Sequence, residues 1–157
     1  MLVAGSHAPT FKLKCSQYRD STLEDYRGKS LIVAFYVADW HPVCTDQLQR
    51  YRELLPDMQQ LGAELVAISA DTVWSHAAFA RAHQLPFPLL SDDRPPGKTA
   101  RAYGVLGARQ QGAKRGLCLI DTTGTIAWSA AFPEAVDPGV DGVLTALEAL
   151  TRTRGRH

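Results

Sequence analysis

Three cysteines, Cys15, Cys44 and Cys118, are the residues of this 157-residue chain best suited to nucleophilic or redox chemistry, and Cys44 has the most activating setting. It stands in Pro42-Val-Cys-Thr-Asp-Gln-Leu48, where the proline suits the first position of a helix. A thiol in a first helical turn meets backbone N–H groups with no partner inside the helix, and the helix dipole favours its anion. The anion is the nucleophilic form of cysteine. The dipole contributes only about 0.3–1 kcal/mol, so a fast enzyme also needs fixed donors for the charge that develops on a leaving oxygen. An isolated cysteine is more often a small buried hydrophobe, but a strand-to-helix turn is where active-site residues gather. Cys118 alternates within an apolar strand and reads as structural, and Cys15 lies in an early extended segment with a structural or incidental role. His41-x-x-Cys44 offers two metal ligands, short of the usual three or four, and His7, His76 and His83 do not complete a set. No metal and no cofactor are expected.

The elements that must position Cys44 are legible around it. Ser30-Leu-Ile-Val-Ala-Phe-Tyr36 and Ala63-Glu-Leu-Val-Ala-Ile-Ser69 are apolar, β-branched runs that read as central strands covered on both faces. Between them Leu48, Tyr51, Leu55 and Met58 recur at helical spacing, with Pro56 expected to kink or divide that helix. Strand, helix and strand of these lengths form a βαβ unit with a parallel pair. Asp71-Thr72 caps a second helix through about Ala82, and Gly97–Tyr103 forms a short one ending at Gly104. Gly116–Ile120, the turn Asp121-Thr-Thr-Gly124 and Thr125–Trp128 make a β-hairpin, followed by a helix from about Val140 to Leu150. The expected fold class is α/β, a central mixed β-sheet flanked by helices in the thioredoxin layout.

The bulk properties agree with one globular domain over residues 1–157, with its core at about 5–150. Residues are 45% hydrophobic and 21% charged, and a net charge of +1 argues against a nucleic-acid binder. The basic end, Arg152-Thr-Arg-Gly-Arg-His157, reads as a solvated tail. No stretch approaches the ~20 apolar residues of a membrane span, and the N-terminal residues do not resemble a secretory signal. Three widely spaced cysteines are not a disulfide framework, so a reducing, cytoplasmic location is expected.

Taken in order, several segments resemble the peroxiredoxins, the alkyl hydroperoxide reductase/thiol-specific antioxidant family. They are Gly5–Pro9 with Phe11, Leu23-Glu-Asp-Tyr-Arg-Gly-Lys29, Ile68-Ser-Ala-Asp71 with Trp74-Ser-His-Ala77, Phe87–Asp92 and Ala102–Val105. Asp39-Trp40, Val43–Leu48 and Pro138–Gly142 look most like its alkyl hydroperoxide reductase E-like, one-cysteine branch. The resemblance implies the thioredoxin fold of the peroxiredoxin type and a thiol-dependent peroxidase reducing hydrogen peroxide or organic hydroperoxides. It implies that Cys44 becomes a sulfenic acid, recycled by an external thiol from a thioredoxin-like protein or a small molecule. It promotes Arg115, which would otherwise read as a surface charge, to the active-site arginine, with Gln47 placed to orient it. A homodimer is implied as well, with Trp40 suited to the contact.

Two positions depart from the family pattern. Val37 stands where the family has proline, and His41 where it has threonine or serine. Valine keeps an apolar wall without the fixed dihedral of proline. His41 can donate a hydrogen bond in place of the hydroxyl, act as a charge beside Cys44, or point outward to solvent or a partner subunit. The alternative function is therefore a redox sensor or binding module of the same fold with weakened peroxidase activity. Relatives with a resolving cysteine on the same helix carry it five residues after the reactive one, where this chain has Gln49.

Overall fold

The structure, a computed structural model, describes residues 1–105, 115–132, 137 and 139–154. The end of the basic tail and Pro138 of the late family segment lie outside the described residues. Seven strands form one sheet: β1 (Lys12–Lys14), β2 (Asp20–Thr22), β3 (Ser30–Phe35), β4 (Ala63–Ser69), β5 (Leu89–Ser91), β6 (Arg115–Ile120) and β7 (Ile126–Phe132). Among the described residues four α-helices accompany them, α1 (Pro42–Gln60), α2 (Val73–His83), α3 (Lys98–Ala102) and α4 (Asp141–Arg154), with a 3₁₀ turn at Leu23–Tyr26. The strand order is β2-β1-β5-β4-β3-β6-β7, with β3 parallel to β4 and antiparallel to β6.

Every residue of β3 is buried, as its unbroken apolar run requires. Alternation along the strands separates two cores. Ile32, Ala34 and Tyr36 with Leu117 and Leu119 face α1, Phe79 of α2 and α4. Leu31, Val33 and Phe35 with Cys118 and Ile120 face the N-terminal segment and Tyr103, which follows α3. Cys44, Leu48, Tyr51, Leu55 and Met58 of α1 supply the first core at the spacing read from the sequence.

The helix α1 is continuous through Pro56 rather than divided there. Proline removes one backbone donor, but Pro56 lies on the exposed face while Leu55 and Met58 on either side are buried. Their packing holds the two halves in one helix. Thr72 caps α2 by accepting the Ser75 amide, and the helix ends one residue beyond the expected position. The short edge hairpin β1–β2 was not anticipated as strands. Cys15 sits in its turn, with its amide donating to the Arg19 carbonyl at 3.0 Å.

Candidate active site

The site forms where β3 gives way to α1. His41 is the N-cap residue, with φ −67° and ψ 128°, and Pro42 follows at the first helical position. The His41 carbonyl accepts the Thr45 amide at 2.9 Å and the Thr45 hydroxyl at 3.0 Å, which fixes the first turn. Cys44 is the third residue of the helix, and its exposure is 0%. Val37 is partly buried and packs on the same core as Cys44.

Arg115 reaches this place from the other side of the sheet topology. Phe35 pairs with Gly116, so Arg115 lies one step beyond the end of β3, level with the loop leading to Cys44. Alternation points Arg115 to the same face as Leu117 and Leu119, the face covered by α1. Its side chain is fully buried. Nη1 donates to Gln47 Oε1 at 2.9 Å, one helical turn after Cys44. The Gln47 amide then donates from Nε2 to the Tyr51 hydroxyl at 2.9 Å, and Tyr51 donates to the Gly139 carbonyl at 3.2 Å. The arginine needs an acceptor, so this chain fixes which way the Gln47 amide points. Burial pushes the Tyr51 phenol well above its ordinary acidity range, with the Gln47 hydrogen bond opposing, so Tyr51 remains a donor.

His41 turns toward the arginine, with Nδ1 3.4 Å from Arg115 Nη2. A guanidinium carries only donors, so this contact is attractive only when Nδ1 holds a lone pair. The fitting form is the neutral ring with its proton on Nε2. Trp40, just before it, has φ 68°, in the left-handed region that tryptophan rarely adopts. Its half-exposed ring packs on Phe79 at 5.2 Å between centroids and on His83 at 5.8 Å.

The structure thus brings Cys44, Gln47, Arg115 and His41 to one end of β3. Cys118 and Cys15 pack on the opposite core. Burial raises the Cys118 thiol to about 12, which makes it inert at neutral pH. Gln49 Nε2 lies 2.9 Å from His83 Nδ1 and ties α1 to α2. Two residues escaped the sequence reading. Tyr51 registered only as an apolar position, and His76 only as a failed metal ligand and as part of a family segment with no role assigned. The signal for His76 was its place on the buried stripe of α2 with Phe79.

A thioredoxin-type sheet carries a buried cysteine in the first turn of the helix after a central strand, and that helix holds no second cysteine. The chain belongs to the AhpC/TSA family, whose profile matches residues 4–129. It is a peroxiredoxin, a thiol-dependent peroxidase of the thioredoxin fold. A peroxiredoxin of Thermoplasma volcanium is 30% identical over 156 residues, covering 95% of this chain and 75% of the relative. A chloroplastic peroxiredoxin Q of Sedum lineare is 42% identical over 101 residues, covering 64% of this chain and 53% of the relative. Among solved structures, AhpC of Enterococcus faecalis superposes with a TM-score of 0.88 at 25% identity, covering 99% of this chain and 96% of that one. The peroxidoxin BcpB of Mycobacterium tuberculosis gives 0.84 at 27% identity, covering 96% and 99%.

Proposed function

We propose that Cys44 is the peroxide-reactive thiol and works in a one-cysteine cycle, with Arg115 and His41 as the groups that serve it. The observation that carries this reading is a fully buried guanidinium held by Gln47 one helical turn from a fully buried helix-N-terminal cysteine. The Cys44 thiolate attacks one oxygen of the hydroperoxide, the O–O bond breaks, and the leaving alkoxide or hydroxide takes a proton. Sulfur is oxidised by two electrons to the sulfenic acid. Arg115 stabilises the thiolate and the negative charge building on the leaving oxygen. His41, with Nδ1 engaged by Arg115, keeps Nε2–H as a donor in place of the family's hydroxyl. One external thiol then condenses with the sulfenic acid and releases water. A second thiol restores Cys44 and leaves with the first as a disulfide.

Two features support an external reductant, either a thioredoxin-like protein or a small thiol. Gln49 occupies the place of a resolving cysteine, and Cys15 and Cys118 lie across the sheet from Cys44. This cycle matches the one-cysteine branch and suits a reducing, cytoplasmic compartment. The half-exposed Trp40 suits a homodimer contact beside the site. The test is a substoichiometric hydroperoxide followed by sulfenic-acid trapping and peptide mass spectrometry. The adduct is expected on Cys44 first. An adduct on Cys15 or Cys118 with Cys44 untouched would overturn the assignment. Steady-state peroxide consumption with added thiol separates a turning-over peroxidase from a sensor.

A further inference from the structure

Behind the loop that carries His41 lies a buried polar network that the peroxide chemistry does not use. Asp39 Oδ1 accepts the Tyr36 hydroxyl at 2.6 Å, and Asp39 Oδ2 accepts the Ser75 hydroxyl at 2.8 Å. His76 Nδ1 lies 3.0 and 2.8 Å from the same two oxygens, and 3.2 Å from the Tyr36 hydroxyl. On the far side of the ring, His76 Nε2 lies 3.1 Å from the Leu90 carbonyl oxygen. Both ring nitrogens therefore face acceptors, whereas a neutral imidazole has a single N–H. A doubly protonated His76 paired with an ionised Asp39 satisfies every contact. The Asp39 backbone is held too, its N–H donating to Asp71 Oδ2 at 2.8 Å, an oxygen that also accepts the Ser69 hydroxyl at 2.6 Å.

This arrangement ties one loop residue to three other parts of the fold. Ser75 and His76 belong to α2, Leu90 to β5, and Asp71 follows β4. The tied loop runs from β3 into α1, whose third residue is Cys44 with an exposure of 0%, and its Val37 packs against the same core as that thiol. A hydroperoxide is small, but a thiol reductant must bring its own sulfur against Cys44, so the loop has to yield for recycling.

We propose that Asp39 and His76 are positioning residues, a buried charged pair that latches the 37–41 loop over Cys44 and governs how often an external thiol can reach it. The proposal rests on the reading of Cys44 as the reactive thiol, but its test needs no peroxide chemistry. A bulky maleimide reports opening, and Cys118, also 0% exposed, is the internal control for general loosening. In His76→Gln and in Asp39→Asn, labelling of Cys44 is expected to rise about tenfold or more while Cys118 keeps its parental rate.

Ser75→Ala removes one donor to Asp39 and leaves the Thr72 cap in place, so it should give a smaller rise in the same direction. It also serves if the other variants do not fold. Unchanged labelling of Cys44, or a rise that Cys118 shares, overturns the latch. In the parent protein, nitrogen-15 spectra should show hydrogen on both His76 ring nitrogens, and a bare nitrogen overturns the charged pair. A parent Cys44 that peroxide does not oxidise would instead sink the peroxidase reading and leave these labelling outcomes decisive for the latch.

Discussion

At the scale of single residues, the site depends on a guanidinium that has no local sequence signature. In the proposed mechanism Arg115→Ala removes a charge-assisted donor to the reacting oxygen, and the barrier should rise by about 2–4 kcal/mol, roughly 30- to 1,000-fold in rate. Stopped-flow oxidation of Cys44 measures this directly, and an unchanged rate would remove Arg115 from the chemistry. His41→Phe keeps an aromatic ring but removes the Nδ1 contact to Arg115 and the Nε2–H that the proposed mechanism uses as a donor. It should therefore react more slowly, whereas His41→Thr, which restores a hydroxyl, should match or exceed the parent. Equal rates in all three proteins would leave Cys44 and Arg115 alone in the chemistry. The place of Cys44 in the fold was legible because its signals are local: a strand, a proline and a first turn. Arg115 was named only through the family resemblance, since its place beside β3 depends on pairing with a strand some 80 residues further along the chain. Its alternation with Leu117 and Leu119 was the one available hint that it faces a core.

At the scale of elements, β6 has to deliver Arg115 to within the reach of Gln47, and Gly116 allows β6 to lie where it does. A Cβ at residue 116 would come 2.6 Å from Val105 Cγ1. Valine is stiff at χ1 and cannot swing aside freely, so Gly116→Ala should displace the strand at a cost of about 1–3 kcal/mol. Because Arg115 immediately precedes it, the folded variant should also oxidise Cys44 more slowly. Val105→Ala in the same background removes the obstructing methyl groups and should recover part of the oxidation rate. No recovery would mean that the clash is not the cause. Most elements were legible because their patterns are local: apolar runs for β3 and β4, helical spacing in α1, a Thr cap for α2. The edge hairpin β1–β2 was missed because its strands have three residues each and little apolar alternation. Of the two courses expected at Pro56, a kink or a division, α1 does not divide, because packing by Leu55 and Met58 outweighs a local breaker on an exposed face.

At the scale of the whole molecule, both cores hold acids that burial keeps neutral, and this sets how the protein fails in alkali. Tyr36 and Tyr51 lie in the core beneath α1, Cys118 and Tyr103 in the opposite one. Burial raises the Cys118 thiol from 9.0 to about 12, a hydrogen bond to the Val33 backbone opposing. Burial also raises all three phenols from 10.0, with the charge of Asp39 adding to the effect at Tyr36. Between the ordinary and the raised values the unfolded chain binds fewer protons than the native one, so stability falls as pH rises. The contribution is fully present below about pH 9 and declines by about 1.4 kcal/mol per pH unit while Cys118 acts alone. Above pH 10 the tyrosines join and the decline steepens. Against the marginal stability of an ordinary domain, cooperative unfolding in strong alkali is expected. Urea midpoints between pH 7 and 11, followed beside phenolate absorbance, should show the tyrosines ionising together with unfolding rather than before it. Cys118→Ala should lower stability at neutral pH, because it leaves a cavity, yet flatten the decline between pH 9 and 10. Phenolate absorbance that rises while the fold and the urea midpoint stay unchanged would show that these side chains meet water in the native protein, and the alkaline argument would fail with them.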